Sequence, residues 1–374
     1  MEITFTVTEE QQLLRSMARE LFEERGTSER VREVMLGDDG LDEPAYTQLA
    51  ELGLTGLTIP EEYGGGGASY VELAIVFEEL GRRLLPVPLL STCVLGTEAV
   101  LVAGSDTQRK ELLPAVASGT TRLALAHLDA GGRLTADPGV RASRDGDGWS
   151  LQGTAGYVVD GRTAHQLITA AVTDDGIELF VVPGDAEGVT REDVEVLDLT
   201  RPMATVTYDA VRVDDDARLS GGDAVAALHR AIVAGTVVLA NEQLGGAEHL
   251  LHTTTAYARE RMQFGRAIGS FQAVKHRLAD VLVRVEAARS TAYHAARALA
   301  EDDAEEVPIA APMAKAYCSE VYEKAAGDAI QLHGGIAFTW EHDAHLYFKR
   351  AKATKHLLGS PSHHRRLLGD VLEL

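Results

Sequence analysis

The groups best suited to chemistry in this chain lie in Tyr257-Ala-Arg-Glu-Arg-Met-Gln-Phe-Gly-Arg-Ala-Ile-Gly-Ser-Phe-Gln272, late in a long helical pattern that breaks at Gly265 and Gly269. The break sets a cation, an aromatic ring and an amide (Arg261, Phe264 and Gln272) on one bend. A flat, anionic dinucleotide needs that combination: a guanidinium for pyrophosphate, a ring for stacking, an amide for polar edges. A kinked core helix with an exposed arginine is the plainer alternative. A second glycine pair, Gly334-Gly335 after Gln331, lets backbone approach a ligand where a Cβ would collide, or else lets two helices pack closely. A third feature is Glu242, which continues the apolar run Ala231–Ala240. A carboxylate in such a run needs a partner or a purpose: general-base chemistry, pairing with a buried arginine, or capping a neighbouring helix.

The elements that must position these groups follow from periodicity. From Thr8 to about residue 116 the pattern is helical, opening on the capping box Thr8-Glu-Glu-Gln11 with Leu13, Leu14, Met17, Leu21 and Phe22 at helical spacing. From about residue 123 to 215, β-branched runs such as Gln166-Leu-Ile-Thr-Ala-Ala-Val and Ile177-Glu-Leu-Phe-Val-Val alternate with Asp/Gly turns, as in an antiparallel sheet. Long helical patterns return at 224–260 and 271–300. The divisions expected are 1–120, 121–221 and 222–374.

Composition narrows the function. The 374 residues exceed one ordinary core, and a net charge of −22 repels nucleic acid and anionic membrane surfaces. Two cysteines, Cys93 and Cys318, form no framework and no metal spacing. Glu341-His-Asp343 with His345, and His363-His364, lack a full ligand set, so no metal is expected. The N-terminus has no cationic leader and no long apolar run follows, which implies a cytoplasmic protein.

Three stretches resemble the acyl-CoA dehydrogenase family: Arg261-x-x-Phe-Gly-x-x-Ile-x-x-Phe-Gln272, Gln331-Leu-His-Gly-Gly-Ile-Ala-Phe-Thr-Trp340, and Ile59-Pro-Glu-Glu-Tyr-Gly-Gly-Gly-Gly67. The resemblance implies an α+β fold: a helical N-terminal domain, a small antiparallel β-domain and a C-terminal four-helix bundle. It also implies FAD, with Arg261 on the pyrophosphate and Phe264, Gln272, Gln331, Gly334 and Gly335 around the cofactor. In the β-domain, Gln152-Gly-Thr-Ala-Gly-Tyr-Val-Val-Asp-Gly161 sets Tyr157 where the family has a flavin-covering Trp. Val159 stands where it has a Thr hydroxyl.

The family's reaction removes an α-proton from an acyl-CoA thioester by a carboxylate while hydride passes to flavin N5. One usual place for that carboxylate precedes a Gly-Thr pair; here Leu358 stands there, followed by Gly359 and Ser360, the latter counted among the cofactor contacts. The other place is Gly235. Glu242 lies seven residues beyond, two helical turns or about 10 Å along the same face, and is the expected base. Its wording, Glu242-Gln-Leu-Gly-Gly-Ala247, resembles a branch acting on bulky, often steroid-derived, thioesters. The resemblance further implies electron-transfer flavoprotein as partner and a homo- or heterotetramer. The alternative is a non-catalytic or cofactor-completing subunit working with a paralogous subunit.

Overall fold

The computed structural model describes residues 8–135 and 137–374. Six helices come first: α1 (Glu9–Arg25), α2 (Ser28–Met35), α3 (Glu43–Glu51), α4 (Tyr70–Gly81), α5 (Thr97–Ala103) and α6 (Asp106–Ala117). Seven strands follow: β1 (Leu123–Ala126), β2 (Val140–Asp145), β3 (Gly148–Val159), β4 (Gln166–Thr173), β5 (Gly176–Pro183), β6 (Val189–Asp193) and β7 (Met203–Asp214). The remainder comprises α7 (Ala224–Glu260), the short strands β8 (Met262–Gln263) and β9 (Arg266–Ala267), then α8 (Gln272–Ala300), α9 (Val307–His333), α10 (Ala344–His356) and α11 (Pro361–Val371).

Local chemistry starts these helices where the sequence places the signals. Thr8 with Gln11, Ser69 with Glu72 and Ser105 with Gln108 each form a reciprocal capping box. Helix α7 has the length and an 18-residue window of the hydropathy that a membrane span shows, but 61% of that window is buried inside the protein, as in a core helix.

Two compact units emerge, each assembled from separated segments. One takes residues 32–68 and 86–235 and holds the sheet. Its strand order is β1-β4-β2-β3-β7-β6, with β5 on β4. The pairings are antiparallel except that β4 runs parallel to β1 and, through Arg141 and Val172, to β2. The sheet is therefore mixed, because β4 returns beside β1 in the same direction. Trp149 meets Phe180 edge-on at 5.3 Å, and the buried Tyr208 hydroxyl lies 2.6 Å from Thr169 Oγ1.

The other unit takes residues up to Val31, 69–85 and 236–374, so α1 and α4 join the C-terminal helices. Glycines bring α4 and α7 into backbone contact: a Cβ on Gly81 would lie 2.0 Å from the Glu242 carbonyl, and one on Gly245 1.8 Å from that of Glu78. The buried Glu78 carboxylate accepts from Arg15 at 2.8 Å, Arg289 at 2.5 Å and the Tyr293 hydroxyl. Burial pushes its pKa up, but Arg15 and Arg289 outweigh that and hold it below the usual carboxylate range.

Candidate functional site

Helix α7 does not bend at Gly265; it ends at Glu260 and gives way to a hairpin. Met262 pairs with Ala267 and Gln263 with Arg266, across the two-residue turn Phe264-Gly265. Both turn residues have positive φ, +53° and +77°, the requirement of a tight two-residue hairpin turn. The turn projects Phe264, which is 92% exposed, with its ring 6.1 Å edge-on to Phe271. Arg266 lies 4.0 Å above the Phe271 ring. Arg261, just outside the hairpin, is exposed, and its carbonyl accepts from Ile268 at 2.8 Å. Gln272 opens α8 and is exposed as well. The three groups come together through a hairpin and a helix start rather than on a kinked helix.

Gln331 is exposed near the end of α9, and Gly334 ends that helix with φ +69°. A Cβ at Gly334 or Gly335 would meet no atom of the described chain within 4 Å. Close helix packing therefore does not explain this pair. Behind it, His333 stacks on Tyr257 at 4.3 Å and touches His342 at 4.3 Å, fixing the end of α9. An open backbone, two exposed amides and an exposed guanidinium fit an extended anionic dinucleotide such as FAD.

In the sheet unit, Tyr157 sits at the irregularity between Ala155 and Val158 with φ +52° and is 44% exposed. Gly132 lies against its ring so closely that a Cβ there would be 2.3 Å from Cδ2. The loop behind the ring is held by Asp129, whose carboxylate accepts from the Gly131 and Arg133 amides and from Arg133 Nε, all at 2.9 Å. Val159 is 6% exposed and pairs with Met203, so only its backbone groups could meet a cofactor, in keeping with a side chain that has no hydroxyl. Arg201 is buried in the loop after Asp198 and is not a surface residue.

Glu242 is where the sequence predicts, inside the bundle, but its carboxylate is engaged. Arg350 on α10 donates to Oε1 at 2.6 Å, with the two side chains 3% and 2% exposed. The geometry matches the buried-arginine alternative, and the reason is physical: an ionised carboxylate at that depth needs a counter-ion. Sequence reading missed Arg350 as its partner, although Arg350 is the single cation on the buried face Leu346, Tyr347, Arg350, Ala351, Thr354. At the other family position, Leu358 takes φ +57°. Ser360 Oγ caps α11, accepting from the His363 amide at 3.3 Å.

Comparison with known proteins completes the picture. Residues 8–120 match the model of the acyl-CoA dehydrogenase N-terminal domain and residues 226–373 that of its C-terminal domain. The chain is 36% identical to the acyl-CoA dehydrogenase IpdE2 of Mycobacterium tuberculosis, over 98% of this chain and 99% of that protein. It superposes on a variant of the Tcur3481-Tcur3483 steroid ACAD with TM-score 0.88 at 36% identity, covering 98% of this chain and 99% of that one. On the ChsE4-ChsE5 complex from Mycobacterium tuberculosis the TM-score is 0.91 at 30% identity, with 99% of each chain covered. The chain belongs to the acyl-CoA dehydrogenase family of FAD-dependent oxidoreductases.

Proposed function

We propose that this chain takes part in FAD-dependent α,β-dehydrogenation of a bulky acyl-CoA thioester. The observation that carries the reading is the open Gly334-Gly335 backbone beside exposed Gln331, joined to family membership. When bound, FAD supplies the acceptor for the hydride leaving the β-carbon. In the helical unit Arg261 would hold the pyrophosphate, Gln272 and Gln331 its polar edges and Phe264 a flat face; in the sheet unit Tyr157 would offer a flat face of its own. A large acyl group is supported by the similarity to a steroid ACAD. Electrons then pass to an electron-transfer flavoprotein, and the working form is a cytoplasmic tetramer divided as 1–120, 121–221 and 222–374 in each chain.

The α-proton needs a carboxylate, and Leu358 and Gly235 cannot provide one. Glu242 could serve only after leaving Arg350. In a second reading a companion chain provides the base, and Glu242, paired with Arg350, is architectural. Two structural relatives are named as pairs, which supports a heteromeric assembly.

One experiment tests all of this. Purified chain, alone and with a co-expressed paralogue, is given FAD and short-chain, long-chain and steroid side-chain CoA thioesters under anaerobic conditions. Bleaching of flavin absorbance by the bulky thioesters is expected. No bleaching in any arm removes the dehydrogenase reading, and preference for short straight chains removes the bulky substrate. Bleaching by the chain alone returns the base to this chain, where Glu242→Gln decides its identity.

A further inference from the structure

Helix α9 carries a fully buried lysine, Lys315. Its Nζ donates to Ser319 Oγ at 3.0 Å, to the Thr354 and Lys355 carbonyls at 3.0 and 3.4 Å, and to the Gly359 carbonyl at 3.2 Å. No carboxylate among the described residues pairs with it. A buried ammonium without a counter-ion is costly, and a methionine would fill similar space without that cost. What the cation adds is reach. Thr354 and Lys355 are near the end of α10, where a helix leaves unpaired acceptors and the negative end of its dipole. The Gly359 contact extends past the helix into the turn at 357–360.

That turn is held in an unusual conformation, with φ +57° at Leu358 and +103° at Gly359. A leucine stays in the left-handed region only where its surroundings over-determine it. Two groups do so here. Lys315 holds the Gly359 carbonyl, and His364 Nε2 donates to the Leu358 carbonyl at 2.9 Å. Gly359 packs so tightly on His363 and His364 that a Cβ would come within 2.7 and 2.8 Å of them. Ser319 extends the network inward, donating to Gln243 Oε1 at 3.1 Å, next to Glu242.

We propose that Lys315 is a positioning residue that, with His364, locks the 357–360 turn in the shape the active site requires. In this chain the turn presents fixed backbone at a position where the family resemblance implies a base. The inference rests on the functional reading above, which sets Leu358 beside the substrate and flavin.

Hydrogen–deuterium exchange on wild type and Lys315→Met, with and without FAD, reads the turn directly. Amides at 357–364 should exchange about tenfold faster in the variant, while those of the β4–β5 pair keep their rates. In the same variant kcat should fall about tenfold with KM nearly unmoved, because the turn is misplaced rather than the binding surface removed. Wild-type protection at 357–364 in Lys315→Met overturns the proposal. Should that variant fail to fold, Lys315→Gln is read in the same way: faster exchange confined to the turn supports the lock, and wild-type protection overturns it. A wild-type chain that never binds or reduces FAD would remove the functional reading, while the exchange data still judge the lock.

Discussion

The helical unit treats polar groups in two opposite ways. In its interior Glu78, Glu242 and Lys315 are buried, and each is met by polar partners: Arg15, Arg289 and Tyr293 around the first, Arg350 on the second, carbonyls and Ser319 around the third. At the ends of α7 and α9, Arg261, Phe264, Gln272, Gln331 and Gly335 stand exposed. Buried charge in this molecule builds the scaffold. Groups fit for recognising a ligand are those the chain itself leaves uncovered. Burial alone therefore does not identify the catalytic acid or base here, and the exposed, glycine-opened motifs carry the groups proposed for the cofactor.

The strongest way to break that contrast is at the ion pair. Arg350→Met leaves Glu242 buried without its counter-ion, and urea unfolding should show a loss of about 3–5 kcal/mol. Adding Glu242→Leu to Arg350→Met should restore most of it, because the orphaned charge is gone. If Glu242→Gln instead keeps stability and FAD content but abolishes flavin reduction, the acid belongs to the chemistry and the contrast fails.

Acid should act next, on buried histidines of both units. Burial pulls His127 and His364 down to about 4 and His249 to about 3. Their folded pKa lies below the unfolded value of about 6.5, so the unfolded chain takes up protons first. Stability is complete above pH 6.5 and falls as pH drops, levelling off below about 4 for His127 and His364 and below about 3 for His249. For His127 the loss at pH 5 is roughly 2 kcal/mol. His127→Gln should flatten the dependence of the melting temperature on pH between 6.5 and 4; an unchanged slope would contradict its burial as a neutral ring.

How far the sequence reaches depends on the range of the interaction. Helix α7 is legible to its ends, Ala224 and Glu260, because apolar periodicity is local. Strands β3, β4, β5 and β7 carry β-branched runs and are equally plain. By contrast β1 is Leu-Ala-Leu-Ala, while β2 and β6 are short and rich in charge, so none has a pattern strong enough to read. The hairpin after α7 reads as a bend because its strands are two residues each. Of the candidate site, residue types and exposure at Arg261, Phe264 and Gln331 follow from motif alone. Arg350 lies 108 residues from Glu242, and no local signal joins them. Lys315 escapes because three of its four partners are carbonyls, which every sequence has.

On the exposed side the effects should be smaller and confined to binding. Arg261→Ala should weaken FAD about tenfold, one charge-assisted contact, with little change in the melting temperature of the flavin-free protein. A melting temperature that falls as far as in Arg350→Met would assign Arg261 to the scaffold.

Gly335→Ala is the finest probe. The added methyl group meets no atom of the described chain within 4 Å, so the flavin-free protein should keep its stability to within about 0.5 kcal/mol. Whatever approaches that backbone on binding would feel the Cβ, and FAD affinity should drop a few-fold, read by quenching of flavin fluorescence. Unchanged affinity would mean that the cofactor leaves this glycine untouched and that the open backbone of the α9 end serves a different contact. Reduced stability without FAD would place Gly335 with the interior after all.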